Sequence, residues 1–158
     1  MKIESGVNYS VISDNIHHKI LDNFQEYTII DNHISYNELI DFLSSFNSRR
    51  IVFFDALRFF NNDQKKKIKE LLALRKINYV NITSDIEQVL DTDYLYVFSN
   101  DKIVLEGKTL DVLKNEKKLK RIGFALPFVV DLSMQLKLYG TLSDIKTDMK
   151  ELVDELWN

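Results

Sequence analysis

A chain of 158 residues, 45% hydrophobic and 28% charged, has the length and composition of one globular domain with a sizeable core. Its 21 basic and 24 acidic side chains leave a formal charge of −3, too weak a basic field to hold a phosphate backbone, so nucleic acid is not an expected partner. The lack of cysteine removes disulfides, thiolate chemistry and Cys-ligated zinc together. The start, Met1 to Gly6, has no apolar stretch of the signal-peptide kind. The longest apolar runs, Ile51 to Phe54 and Ala125 to Val130, fall far short of the roughly 20 residues of a membrane helix. The expectation is a cytoplasmic protein, peripheral at most to a membrane complex.

Pro127 is the only proline, and no linker, repeat or low-complexity tract marks a boundary inside the chain. Tyr9 to Ile12 reads as a short strand, Ile16 to Phe24 as a helix and Tyr27 to Ile30 as another strand. Ser35 and Glu38 have capping-box spacing ahead of Leu39, Ile40, Phe42 and Leu43, which predicts a helix to about Phe46. Ile51 to Phe54, ending in Asp55, suits a strand buried on both faces of a parallel sheet. A helix over Asp63 to Arg75 follows, with Ile68, Leu71, Leu72 and Leu74 toward the sheet and Lys65, Lys66, Lys67 and Lys69 toward water. Tyr79 to Ile82 is the next strand and Ile86 to Leu90 a short helix, while Tyr94 to Phe98 and Lys102 to Leu105 form a hairpin around Ser99-Asn100-Asp101. Helices over Thr109 to Lys114, Pro127 to Leu138 and Thr147 to Trp157 complete the chain. Strands separated by helices in this way predict an α/β sheet, with any site in the loops at the strand C-terminal ends.

His17, His18 and His33 do not make a metal site by spacing, since adjacent histidines diverge on a helix and no nearby carboxylates complete a ligand set. No acid-base pair and no Ser/His/Asp arrangement is recognisable from spacing.

From Ile51 onward the parts occur in the order of an ABC ATPase. Arg50-Ile51-Val52-Phe53-Phe54-Asp55 resembles a Walker B strand, Asn81-Ile82-Thr83-Ser84-Asp85 the strand that ends in Thr-His-Asp, and Asp93 to Gly107 the hairpin after it. Ile122 to Ser133, with Met149 to Trp157, resembles the C-terminal region of ATPase subunits of energy-coupling-factor (ECF) transporters, and this pairing is absent from ABC ATPases in general. The first half matches more weakly: Ile3 to Gly6 and Tyr9 to Ile12 are similar to the strands before a Walker A loop. That loop falls on Ser13-Asp14-Asn15-Ile16-His17-His18-Lys19-Ile20, where only Lys19 fits the pattern.

The resemblance implies a P-loop-NTPase-like α/β fold, a mainly parallel sheet flanked by helices. Lys19 to Asp55 is too short a stretch to hold the family's helical subdomain. It divides the chain into an ATPase-like core over 1–121 and a C-terminal helical extension over 122–158, expected to form one compact unit. It makes Lys19 and Asp55 the vestigial nucleotide-binding positions, Asp55 being the family's magnesium ligand.

A phosphate loop needs glycines that turn its amides inward and a hydroxyl for magnesium. Ile16, His17 and His18 disfavour positive φ, Asp14 adds negative charge, and Ile20 has no oxygen. Ala56 stands for the water-polarising Glu and Ser84 for the His on the γ-phosphate; the signature position near Asp31 to Ser35 has no glycine. No catalytic residue, metal or cofactor is therefore expected.

The family's tail joins two ATPase subunits, so the resemblance implies an interface at Phe128, Leu132, Leu136, Tyr139, Leu152, Leu156 and Trp157. The partner is a second copy or an ABC/ECF ATPase subunit, with peripheral contact to a membrane transporter. Two alternatives stand beside this non-catalytic associating protein. One is a regulatory domain that binds nucleotide or phosphate weakly, with ATP and magnesium as its ligands; the other is a truncated ABC ATP-binding protein without present activity.

Overall fold

The computed structural model describes residues 3–4, 6–13, 18–24, 26–48 and 50–157. The strands are β1 (Tyr9–Ser13), β2 (Thr28–Asp31), β3 (Arg50–Phe54), β4 (Asn78–Thr83), β5 (Tyr94–Ser99) and β6 (Lys102–Lys108). They form one sheet in the order β2-β3-β4-β1-β5-β6, parallel throughout except for β6, which runs antiparallel to β5. The helices are α1 (Tyr36–Ser45), α2 (Asn62–Leu74), α3 (Thr109–Leu113), α4 (Glu116–Arg121), α5 (Phe128–Leu138) and α6 (Met149–Trp157), with 3-10 helices at His18–Phe24, Leu57–Phe59 and Ile86–Asp91. No helix among the described residues is long and apolar enough to cross a membrane.

Register explains the layers. Phe53, Asn81, Ser10 and Leu95 lie opposite one another across β3, β4, β1 and β5 and so share one face of the sheet. On that face Ile51 and Phe53 pack with Leu39 and Leu43 of α1 and Ile68 and Leu72 of α2. Farther along, Ile12, Leu95 and Val97 pack with Val112, Leu119, Val130, Leu142 and Leu152. A buried polar seam separates these two clusters: Thr92 Oγ1 donates to Ser10 Oγ at 2.8 Å, Asn81 Nδ2 to Gln88 Oε1 at 3.3 Å, and Thr109 Oγ1 to the Thr92 carbonyl at 2.7 Å. The opposite face has a thinner cover, in which Val11, Val52, Val80 and Ile82 meet Ile20 and Phe24 of the first 3-10 helix.

Local chemistry sets the ends of the elements. Ser35 and Glu38 form the expected reciprocal capping box at α1, and Asn61 with Gln64 forms a second at α2. α6 begins at Met149 rather than Thr147 because Asp148 serves as its cap, accepting from the amides of Lys150 and Glu151. Leu74 does not face the sheet as its spacing suggests but is exposed. After it Lys76 takes positive φ, the Ile77 amide donates back to the Leu72 carbonyl, and Ile77 enters the core in its place. β6 runs on to Lys108, three residues past its expected end, because pairing with β5 continues through a shift in register near Val97 and Phe98. The hairpin turn holds Asn100 and Asp101 both at positive φ, as its two-residue loop requires.

α4 is not expected from the sequence, because its run Glu116 to Arg121 is almost wholly charged and shows no apolar stripe. Its signal lies just beyond. Gly123 sits at positive φ, and the Phe124 amide donates to the Leu119 carbonyl, so Gly123 closes a helix. Gly140 stops α5 by the same device, with Thr141 donating to the Leu136 carbonyl.

α6 is fastened to the loop before it by Glu155, which accepts from the amide and hydroxyl of Ser143, each at 2.7 Å, and from Lys146 Nζ at 2.6 Å. The Lys146 hydrogen bond, with those of Ser143, holds its carboxyl down at about 2 against an ordinary 4.5. A carboxyl lowered on folding adds stability above its unfolded pKa and loses it as pH falls through its folded pKa. The wild type is therefore expected to melt above Glu155→Gln at neutral pH, and the gap should close between about pH 4.5 and about 2 in thermal unfolding followed by circular dichroism. A pH-independent gap would assign the contact another role.

Candidate functional site

With β4 lying between β3 and β1, three strand ends meet at one edge of the sheet: Ser13 of β1, Thr83-Ser84 of β4 and Phe54-Asp55 of β3. These ends carry the positions that the sequence assigns to the phosphate loop, the switch and the metal. Residues 14–17 of the phosphate-loop alignment lie outside the described residues, as does the side chain of Lys19, whose backbone falls in the 3-10 helix His18–Phe24.

Asp55 is held in an uncommon state. Its φ is 53°, its amide donates to the Ile82 carbonyl at 2.8 Å, and its side chain is only 15% exposed. Oδ2 accepts from Arg58 Nη1 at 2.9 Å. Oδ1 is buried with no hydrogen-bond partner among the described residues. Burial pushes the carboxyl above the usual carboxylate range, as does the charge of Asp85 to a lesser extent, while Arg58 pulls it down.

The other positions have structural duties. Ala56 is buried in the core beside α1 and α2. Ile20 is buried in the cluster on the opposite face, with no oxygen to offer a metal. Ser84 is exposed; Asp85 caps the 3-10 helix Ile86–Asp91, accepting from the Glu87 amide and from Gln88 Nε2, each at 3.1 Å. Where the signature was aligned, Asp31 accepts from the His33 amide at 3.0 Å and Ser35 caps α1. Among the described residues no three His, Cys, Asp or Glu side chains gather to hold a metal ion.

ATP with magnesium is the group implied at such an edge, and these residues do not fit it. One carboxylate oxygen of Asp55 is bound by a guanidinium, and the other is buried.

The residues assigned to an interface have unequal positions. Leu152 is 1% exposed and lies within the core, so it offers no surface. Leu132 and Leu136 are partly buried against the same cluster. Phe128, Tyr139, Leu156 and Trp157 are exposed, as is Leu138, which the sequence reading placed on the helix but not among the interface residues. The α5 N-terminus is tied to the strand-end edge, since the Phe128 amide donates to Glu87 Oε1 at 2.7 Å.

A mainly parallel sheet with helices against it and these loops at one edge is the P-loop-NTPase-like fold of ABC ATPases. The solved structure of cbiO1 from Clostridium perfringens, part of the ABC transporter complex cbiONQ, matches it with a TM-score of 0.51 and 11% identity over 85% of this chain and 90% of that one. In sequence the chain is similar to ECF transporter ATP-binding proteins. It is 26% identical to EcfA1 of Ureaplasma parvum over 114 residues, 70% of this chain and 39% of that protein. It is 37% identical to EcfA1 of Caldanaerobacter subterraneus over 82 residues, 52% of this chain and 29% of that protein. The chain thus spans well under half the length of the curated relatives it matches. No family model matches it.

Because Ala56 faces the core, restoring an acid there should harm the protein. Ala56→Glu is expected to lose roughly 3–5 kcal/mol, the scale of an uncompensated buried charge. Urea unfolding measures this, and an unchanged midpoint would place position 56 at the surface.

Proposed function

We propose that this chain is a non-catalytic relative of ECF ATPase subunits that acts by associating with an ATPase subunit or with itself through its C-terminal helices. The observation that carries the reading is the apolar surface left uncovered there: Leu138, Tyr139 and Trp157 are 86%, 81% and 80% exposed. Side chains of this size standing singly in solvent are ordinary, but several of them on the two C-terminal helices favour a protein contact. The helices are well supported for that task. α5 is fixed to Glu87 at one end and closed at Gly140 at the other, and α6 is fastened by Glu155. A rigid platform loses less conformational freedom on binding.

The non-catalytic half of the proposal rests on the strand-end edge. Ala56 and Ser84 supply neither the general base nor the γ-phosphate contact that the ECF ATPase reaction uses, and each such loss removes powers of ten in rate. The stretch from Lys19 to Asp55, too short for the family's helical subdomain, supports a role in an ATPase assembly over direct coupling to a transporter.

Sedimentation and affinity capture with a purified ECF ATPase subunit test the association. The wild type should form a dimer or bind that subunit, and Tyr139→Asp or Leu138→Asp, both at exposed positions, should weaken it by about tenfold or more. A wild-type monomer at high concentration that captures no ATPase overturns the association. ATP hydrolysis should not exceed buffer background; a magnesium-dependent rate lost in Asp55→Ala overturns the non-catalytic reading.

A further inference from the structure

The Asp55 carboxylate and the Arg58 guanidinium form a site of their own at the strand-end edge. Asp55 stands just before the 3-10 helix Leu57–Phe59 and Arg58 lies within it, so the short turn folds the guanidinium back onto the carboxylate three residues earlier. Their contact is 2.9 Å, and Arg58 is pinned from the other side as well: its guanidinium carbon lies 4.9 Å from the centre of the Phe59 ring. That contact also accounts for Phe59, a large apolar side chain left exposed beside a charged one. The residue is fixed in turn by its positive φ and by the hydrogen bond that its backbone N–H donates to the Ile82 carbonyl. Asp85, at the adjacent strand end, adds a second negative charge that Asp55 feels.

We infer that Arg58 is a built-in cation that takes the position a divalent metal would occupy on Asp55. The inference deepens the non-catalytic reading above and rests on it. A guanidinium brings a fixed positive charge and a directed donor to a largely desolvated carboxylate, so the protein neutralises Asp55 without a metal or a nucleotide. Removal of Arg58 leaves the Asp55 carboxylate without its cation, and Asp55 then recruits a divalent ion from solution, with Asp85, whose oxygens already accept from the Glu87 amide and Gln88 Nε2, adding negative charge nearby.

The test is a titration of the nucleotide-free protein with Mn2+, followed by paramagnetic broadening of the backbone amide signals of Asp55, Ala56, Ser84 and Asp85. The wild type and Arg58→Lys, which keeps the charge, should show no saturable broadening at concentrations that saturate Arg58→Ala. Arg58→Ala should bind Mn2+ at least about tenfold more tightly, and Asp55→Asn added to it should abolish the effect. Arg58→Gln serves the same purpose should the alanine variant fail to fold. Equal Mn2+ binding by the wild type and the Arg58 variants overturns the inference, as does a folded Arg58→Ala or Arg58→Gln protein without a saturable site at Asp55. Neither result bears on hydrolysis or association, which the measurements of the preceding subsection decide separately.

Discussion

Everything in this fold depends on β1 being paired on both sides. With β4 and β5 each parallel to it, the backbone polar groups of β1 are committed to the ladder and both its faces are enclosed, so Val11 and Ile12 are fully buried on opposite sides. Two serines, Ser10 and Ser13, are carried into this interior, and Ser10 is admitted because Thr92 meets it. A first strand in the middle of the sheet obliges the chain to cross outward to β2 and return through β3 and β4 before passing over to β5. That path brings the loops after β1, β4 and β3 to one edge, and it gives a polar seam under the 3-10 helix Ile86–Asp91 in place of one continuous apolar core.

Much of this was legible in the residues. The continuous apolar run Ile51 to Phe54 named a strand buried on both faces, Ser35 and Glu38 named a helix start, and the order of strand-like and helix-like segments named the α/β class. Less legible were features set by backbone geometry at helix ends. Leu74 fits an apolar stripe by spacing, yet the turn at Lys76 rotates the chain and sends Ile77 inward instead. α4 escaped because a charged run of six residues has no stripe to read, and only Gly123 between Leu119 and Phe124 betrays it. At the edge of the sheet, substitution could be read from Ala56 and Ile20 as missing chemistry, but their burial in separate clusters could not. Nor could the pairing of Asp55 with Arg58, which needs the 3-10 turn that holds Arg58.

A strained backbone and an unpartnered oxygen at Asp55 are costs that ordinary strand ends avoid. They persist because the surroundings over-determine the residue: the Ile82 carbonyl holds the amide, Arg58 holds the side chain, and Phe59 holds Arg58. The C-terminal helices differ in this respect. Their caps and stops obey the local rules throughout, and what stands out there is surface left uncovered rather than strain.

β6 ends the sheet on one side with a free margin. Lys102, Glu106 and Lys108 stand exposed along it, and its pairing with β5 is broken in register near Val97 and Phe98. Charge and a local kink on an outer strand discourage a neighbouring chain from extending the sheet, which is the path that leads toward fibres. At this margin the sheet is guarded against open-ended growth even though Ile103 and Val104 stand exposed among the charges.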